Sequence, residues 1–185
     1  MVEEEDNLIQ LSKDGDAGSF GELYSHYLPQ IYRFVVLKVS QRQLAEDLTH
    51  EVFMSAWQNI GRYASQGFPF SSWLYQIARN RVIDHYRTQK HHSSIDDIDE
   101  DVFRTHGFDE LKLDNELDIK KIRQAMKHIS PEQQDVILMK FVEDLSHQEI
   151  AAALDKSEGA IRLLQHRGIN KLKDILIDDD GTENN

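Results

Sequence analysis

The chain lacks several features that would each point to a particular kind of protein. It contains no cysteine and only three prolines among 185 residues, which excludes disulfides and thiolate metal sites. No apolar run reaches the roughly 18 residues that a membrane-spanning helix needs, and the acidic start MVEEEDN is unlike a signal peptide. These absences predict a cytoplasmic protein without membrane insertion.

Positive charge is also scarce. The chain has 21 lysines and arginines against 33 aspartates and glutamates, a formal net charge of -12. The acidic residues crowd the N terminus, the middle of the chain and the last eight residues, and the remainder is mildly basic. We therefore expect the free chain to bind DNA weakly, with another macromolecule supplying further positive surface.

Apolar residues recur at helical spacing along most of the chain, for example Leu44, Leu48, Val52 and Ala56, and no alternating strand pattern is present. The sequence predicts an all-α protein with two small helical domains joined by an acidic flexible linker. The predicted boundaries are residues 1–89 for the first domain, 90–114 for the linker, 115–177 for the second domain and 178–185 for an acidic tail.

The segment from residue 130 to residue 172 contains clear helix starts. Ser130 with Gln133, and Ser146 with Glu149, match the capping box, in which the two side chains bond reciprocally to backbone amides. Ser157 is placed to cap a further helix after a short turn. Two helices joined by a tight turn form the unit that enters a DNA groove, so DNA is the first partner to consider.

The last of these helices has two distinct faces. At about 100° per residue, Ile161 and Gly168 fall on one side, while the opposite side and its edge carry polar and cationic residues. Arginine can pair with guanine or hold phosphate, and leucine can touch a thymine methyl group. A solvated helix face would give the same pattern for any single residue. The predicted DNA-contacting set is Ser157, Arg162, Leu163, His166, Arg167 and Lys171.

Two segments of the N-terminal domain carry further signals. In AEDLTHEVFMSAW, residues 45–57, the side chains of Asp47, His50, Glu51 and Met54 fall on the outside at helical spacing, which predicts an acidic docking face. A solvated surface is the commoner meaning of such spacing. The second segment, residues 63–87, interleaves aromatic residues with arginines, a pattern that suits the stacking of single-stranded bases. Its loop Gly67 to Phe70 is the candidate pocket for a flipped base.

With these motifs the chain closely resembles the extracytoplasmic-function sigma factors. These are bacterial transcription initiation factors with only the second and fourth sigma regions. LIQLSKDGDAGSFGELYSHY resembles the opening helix of the family, AEDLTHEVFMSAW its polymerase-binding region, FSSWLYQIARNRVIDHYR its promoter-melting and -10 region, and residues 130–172 its -35-reading domain. The four motifs occur in the family's order and together cover nearly the whole chain.

The resemblance implies core RNA polymerase, promoter DNA and an anti-sigma protein as partners, with no catalytic residue, metal or cofactor. It implies that four residues lie at or near the basic coiled coil of the polymerase clamp: Asp47, His50, Glu51 and Phe53. Together with the loop rings, it predicts a -10 set of Phe68, Phe70, Arg79, Asn80 and Arg81. Three departures from the family are Ser71 where a basic residue often follows the phenylalanine, Asp155 at the usual turn glycine, and Leu164 where many members have arginine.

Parts of the sequence would also suit a metal hydrolase or a stand-alone regulator. A metal hydrolase could use Asp84 and the nearby histidines His85, His91, His92 and His106, but solvated histidines explain this scatter better. A stand-alone helix-turn-helix regulator would explain the C-terminal domain. Such a protein would not need the aromatic segment or the acidic docking face.

Overall fold

The computed structural model describes residues 2–39, 41–65, 67–89, 122 and 124–182. The chain divides into two compact units, Met1–Val102 and Phe103–Asn185. Within the described residues the regular structure is helical and contains no strand, which confirms the all-α prediction. The predicted linker at residues 90–114 lies outside the described residues, and the predicted domain boundaries remain predictions.

The first unit is a bundle of four α-helices: α1 (Val2–Lys13), α2 (Ala17–Val39), α3 (Arg42–Asn59) and α4 (Phe70–Gln89), with a 3-10 turn at Ile60–Arg62 after α3. Helix α2 packs against the other three. Its side chains Ile31, Phe34 and Val35 are fully buried. The predicted apolar stripe of α3 faces this core, because Leu48, Val52 and Ala56 are buried there.

The opening segment forms two helices, where one had been predicted over residues 8–27. Gly15 ends α1 with a φ of +94°, a left-handed conformation that glycine adopts without a steric penalty. The Asp16 carboxylate then accepts hydrogen bonds from the Ser19 hydroxyl at 2.5 Å and the Ser19 amide at 2.9 Å. These bonds lower the pKa of Asp16. The break lets α1 fold back onto α2.

The second unit contains α5 (Pro131–Phe141), α6 (His147–Leu154) and α7 (Glu158–Thr182). Both predicted capping boxes are present, at Ser130 and at Ser146. The Ser157 hydroxyl accepts a hydrogen bond from the Ala160 amide at 3.2 Å, which confirms it as the cap of α7. Helix α7 continues to Thr182, beyond the predicted domain end at residue 177.

The turn between α6 and α7 depends on Asp155. Its φ is 51° and its ψ 51°, so it adopts the left-handed conformation. Aspartate tolerates this conformation at modest cost. The amide of the next residue, Lys156, donates to the Ala151 carbonyl at 3.0 Å and closes the turn.

Helix α7 lies very close to α5 at one glycine. A Cβ on Gly168 would lie 2.9 Å from Cδ1 of Ile137 and 3.3 Å from Cβ of Gln133, so a larger residue would require both of these side chains to shift. Ile161 of α7 and Ile150 of α6 are fully buried beside this contact. The apolar side of α7 is therefore held against the unit, which leaves its opposite side outward.

Candidate nucleic-acid interface

The outward side of α7 matches the predicted DNA-contacting set. Leu163 is 48% exposed. The rest of the set also lies on the surface: Ser157, Arg162, His166, Arg167 and Lys171. Cationic, hydrogen-bonding and apolar side chains thus share one accessible face, as a major-groove reader requires.

Two contacts fix polar groups on or beside this face. The Arg162 guanidinium pairs with the Glu158 carboxylate, Nη2 to Oε2, at 2.9 Å. Both partners are accessible to solvent, and an i,i+4 pair of this kind contributes only about 0.3–0.5 kcal/mol. The pair can therefore yield readily to a base or a phosphate. His147 at the start of α6 meets the side-chain oxygen of Gln165 at 2.6 Å, which ties α6 to α7.

Helix α3 presents the predicted acidic docking face. Asp47, His50 and Glu51 are exposed, and Met54 beside them is 45% exposed. Phe53, in contrast, is 4% exposed, and its ring packs edge-on against Tyr24 with 4.7 Å between centroids. Its ring helps attach α3 to α2, and its predicted place at or near the polymerase contact stays a prediction.

The -10 set, like the residues predicted on α3, contains both exposed and buried side chains. Phe68 is 39% exposed in the loop before α4, Asn80 is exposed, and Arg79 and Arg81 are half-buried. The Arg81 guanidinium lies 3.9 Å from the Glu51 carboxylate of α3. The acidic docking face and the -10 set are therefore neighbours on the first unit, which sequence spacing could not show because they lie on different helices.

Phe70 does not belong to the accessible loop. It is 1% exposed, and its ring lies 5.2 Å from that of Tyr63, 5.4 Å from that of Trp73 and 5.7 Å from that of Tyr27, centroid to centroid. The prediction that it receives a base is wrong for this structure, because the first residue of α4 turns into the core. Phe68 is then the aromatic residue of this loop that is open to solvent.

The sequence analysis noted the acidic N terminus only for its charge and missed one contact there. The Tyr27 hydroxyl donates to the Glu5 carboxylate at 2.9 Å, across 22 residues of sequence. No local pattern signals a bond between two helices at that separation. Glu5 thus joins the group of aromatic residues beneath the loop.

The metal-hydrolase alternative gains no support. Over the described ranges, no three metal-ligating side chains come together. Of the histidines weighed for it, His91, His92 and His106 lie outside the described residues. The same part of the chain holds no helix long and apolar enough to cross a membrane.

Comparison with known families places both units. Residues 23–92 match the model of Sigma-70 region 2, and residues 119–172 match that of Sigma-70, region 4. The first match spans the acidic docking face and the -10 set, and the second spans the helix-turn-helix. The two matches together cover most of the chain.

Proteins similar to this chain in sequence and in fold support the same assignment. The chain is 33% identical over 173 residues to the ECF RNA polymerase sigma factor BldN of Streptomyces coelicolor, covering 93% of this chain and 66% of BldN. It is 28% identical to SigW of Bacillus subtilis, covering 92% of this chain and 95% of SigW. Its fold resembles the sigma factor RpoE of Bartonella quintana, crystallised with the anti-sigma factor NepR, with a TM-score of 0.68 and 22% identity over 85% of this chain and 96% of RpoE.

The first unit has an acidic face beside an aromatic loop, and the second is a helix-turn-helix with an accessible cationic face. The two sigma-region models match these units in order, and similarity to sigma factors extends along nearly the whole chain. The chain therefore belongs to the extracytoplasmic-function sigma factors, which initiate transcription.

Proposed function

We propose that this chain binds core RNA polymerase through α3, opens the -10 element with the loop before α4, and reads the -35 element with α7. The observation that carries the proposal is the division of α7 into two faces. Ile161 is fully buried while Leu163, two positions later, is 48% exposed, and its cationic neighbours are exposed with it. A helix held this way offers its outward side chains to a major groove.

The polymerase contact rests on charge. Asp47 and Glu51 lie one helical turn apart on α3, and both are exposed. Acidic side chains at this spacing complement a basic surface, and complementary charge gives an interface both its specificity and its rate of association. His50 and Met54 extend the same accessible face.

The -10 contact rests on Phe68 with Arg79, Asn80 and Arg81. An accessible ring can stack on a base only after that base has left the duplex, and such a contact is worth roughly 1 to 3 kcal/mol. The loop would therefore favour the melted strand, while the arginines hold phosphate. The chain acts by binding, and we assign it no catalytic residue and no cofactor.

An anti-sigma protein is proposed as a further partner, and the cytoplasm as the location. Support comes from the RpoE structure, which was solved with its anti-sigma factor, and from the family's action on polymerase. A protein that covers the acidic face of α3 would exclude polymerase by occupying the same surface.

The proposal is tested by a gel shift against the alternative of a stand-alone regulator. With a net charge of -12, the free chain should not shift duplex promoter DNA at physiological salt, whereas the chain with core polymerase should. A specific shift by the free chain, with no further gain on adding core polymerase, would support the stand-alone regulator and contradict the sigma-factor role.

Specificity at the -35 element should separate two arginines. If Arg162 reads a guanine, Arg162→Ala should cost roughly 1 to 3 kcal/mol at one base position and relax discrimination there. Arg167→Ala, at the edge of the face, should weaken all promoters alike if it holds phosphate. Transcription of a randomised -35 library by each holoenzyme measures both effects. Unchanged base preferences in both variants would mean that this face of α7 is not the reading surface.

A further inference from the structure

The first helix, α1, is connected to the loop before α4, Gly67 to Phe70, by a short series of contacts. Glu5 of α1 accepts the hydrogen bond from the Tyr27 hydroxyl of α2 at 2.9 Å. The Tyr27 ring packs against Phe70, and Phe70 packs edge-on against Tyr63. The Tyr63 hydroxyl points to the carbonyl of Phe68 in a long hydrogen bond of 3.4 Å. Each member touches the next, from the N-terminal helix to the backbone of Phe68.

A second contact joins the other end of α1 to the same group. The Lys13 ammonium lies 5.6 Å from the centroid of the Tyr63 ring, within the range of a cation–π interaction. Glu5 and Lys13 are eight residues apart, about 12 Å along the helix. Helix α1 therefore contacts the aromatic residues beneath the loop from two separated points.

The two phenols in this series of contacts keep their protons across the physiological pH range. Tyr27 is 5% exposed and Tyr63 is 9% exposed. Burial, then the nearby Glu5 carboxylate, raises the pKa of the Tyr27 phenol well above its usual value. Burial, then Glu5 and Asp6, raises the pKa of Tyr63 to about 12. Both phenols keep their protons and remain donors.

The backbone of the loop is held by local bonds and by the aromatic group. Gly67 is left-handed, with a φ of +83°, and the Phe68 amide bonds to the Ser65 carbonyl at 2.6 Å. The Tyr63 hydroxyl bonds to the Phe68 carbonyl, and the Phe70 ring packs against those of Tyr63 and Tyr27. The aromatic group therefore contacts the chain on both sides of Pro69.

We propose that α1 is a positioning element for promoter melting, in which Glu5, acting through Tyr27, sets the Phe68 loop in its base-accepting conformation. This rests on the proposed role of Phe68 in melting. Glu5 and Tyr27 touch no nucleic acid in this scheme. They act by keeping Phe70 and Tyr63 in place beneath the loop, so that binding an unstacked base requires no rearrangement.

The test compares four variants of the full chain with wild type and with Phe68→Ala, each assembled with core polymerase. Tyr27→Phe removes one hydroxyl and keeps the ring, and Glu5→Ala removes the acceptor. Glu5→Gln keeps an oxygen that can accept the same bond, so it should restore function. Glu22→Ala removes an exposed carboxylate from α2 and is the matched charge control. Permanganate reactivity of -10 thymines over time gives the rate of opening on duplex promoter. Equilibrium binding of each holoenzyme to a template whose -10 region is already melted measures capture of unstacked bases.

We expect Tyr27→Phe and Glu5→Ala to slow opening of duplex promoter by about threefold to tenfold, the usual range for one lost hydrogen bond. Glu5→Gln and Glu22→Ala should open at the wild-type rate. On the pre-melted template Tyr27→Phe and Glu5→Ala should bind about threefold to tenfold more weakly than wild type, because capture of an unstacked base still needs a positioned loop. Glu5→Gln and Glu22→Ala should bind it like wild type.

Three results would overturn the inference, and they separate it from the proposed function. If Phe68→Ala slows opening but Tyr27→Phe and Glu5→Ala do not, α1 has no positioning role while the loop keeps its own. If Phe68→Ala opens at the wild-type rate, the proposed role of the loop fails and the inference with it. If Tyr27→Phe and Glu5→Ala bind core polymerase more weakly than Glu22→Ala does, they act by general loss of structure.

Discussion

Reversing Asp47 and Glu51 to lysine is expected to abolish holoenzyme formation. The two carboxylates lie exposed, one turn apart on α3, and like charges brought together across an interface cost several kcal/mol. Binding of the labelled chain to core polymerase, followed by fluorescence anisotropy, should weaken by more than about a hundredfold. The effect should shrink as salt is raised, because accessible charges are screened.

The matched control is the double variant Asp14→Lys with Glu22→Lys. It makes the same change in net charge at exposed positions of the first unit that lie outside α3. Thermal unfolding should show that both doubles stay folded, since the contact that Glu51 loses with Arg81 is a surface pair at 3.9 Å. Wild-type polymerase affinity in the α3 double would remove the acidic docking face from the proposal.

Replacing Phe70 with alanine should destabilise the first unit by about 3 to 5 kcal/mol, the usual cost of truncating a buried phenylalanine. The ring is 1% exposed among Tyr27, Tyr63 and Trp73, so its loss leaves a cavity at the start of α4. Denaturant unfolding followed by tryptophan fluorescence measures the change, because Trp73 is a neighbour of the cavity.

Phe68→Ala is the matched control for this variant, since it truncates the same residue type two positions earlier. Phe68 is 39% exposed, and we expect its loss to alter the free energy of unfolding by no more than about 0.5 kcal/mol. Promoter opening should slow in that variant. Equal stability of the two variants would mean that Phe70 does not fill the core.

The helix-turn-helix was predictable because its signals are local. A capping box joins a side chain to an amide three residues away, so Ser130 and Ser146 could be assigned from spacing alone. The same holds for Asp155, whose left-handed conformation is dictated by the tightness of the turn. The outward face of α7 followed from helical periodicity, since Ile161 and Gly168 recur on one side.

Phe53 and Phe70 show where helical spacing no longer predicts whether a side chain is accessible. Phe53 and Phe70 each stand next to exposed residues in sequence, and an aromatic ring suits a core and an interface equally well. Only the positions of Tyr24, Tyr27 and Tyr63 on other elements decide that both rings are enclosed. The break at Gly15 was missed because the apolar pattern continues across it.

By itself, the sequence determined the helical class of this protein and the caps and turn of the helix-turn-helix unit, because these depend on residues within about one or two helical turns of one another. It also determined the two-domain plan and the family, because the motifs that carry them follow one another in order along the chain. The tertiary structure decided which aromatic residues are accessible, that Glu51 of the docking face lies beside Arg81 of the -10 set, and that Glu5 holds Tyr27. These are contacts between separate helices, and their formation depends on how the whole core packs rather than on any local pattern.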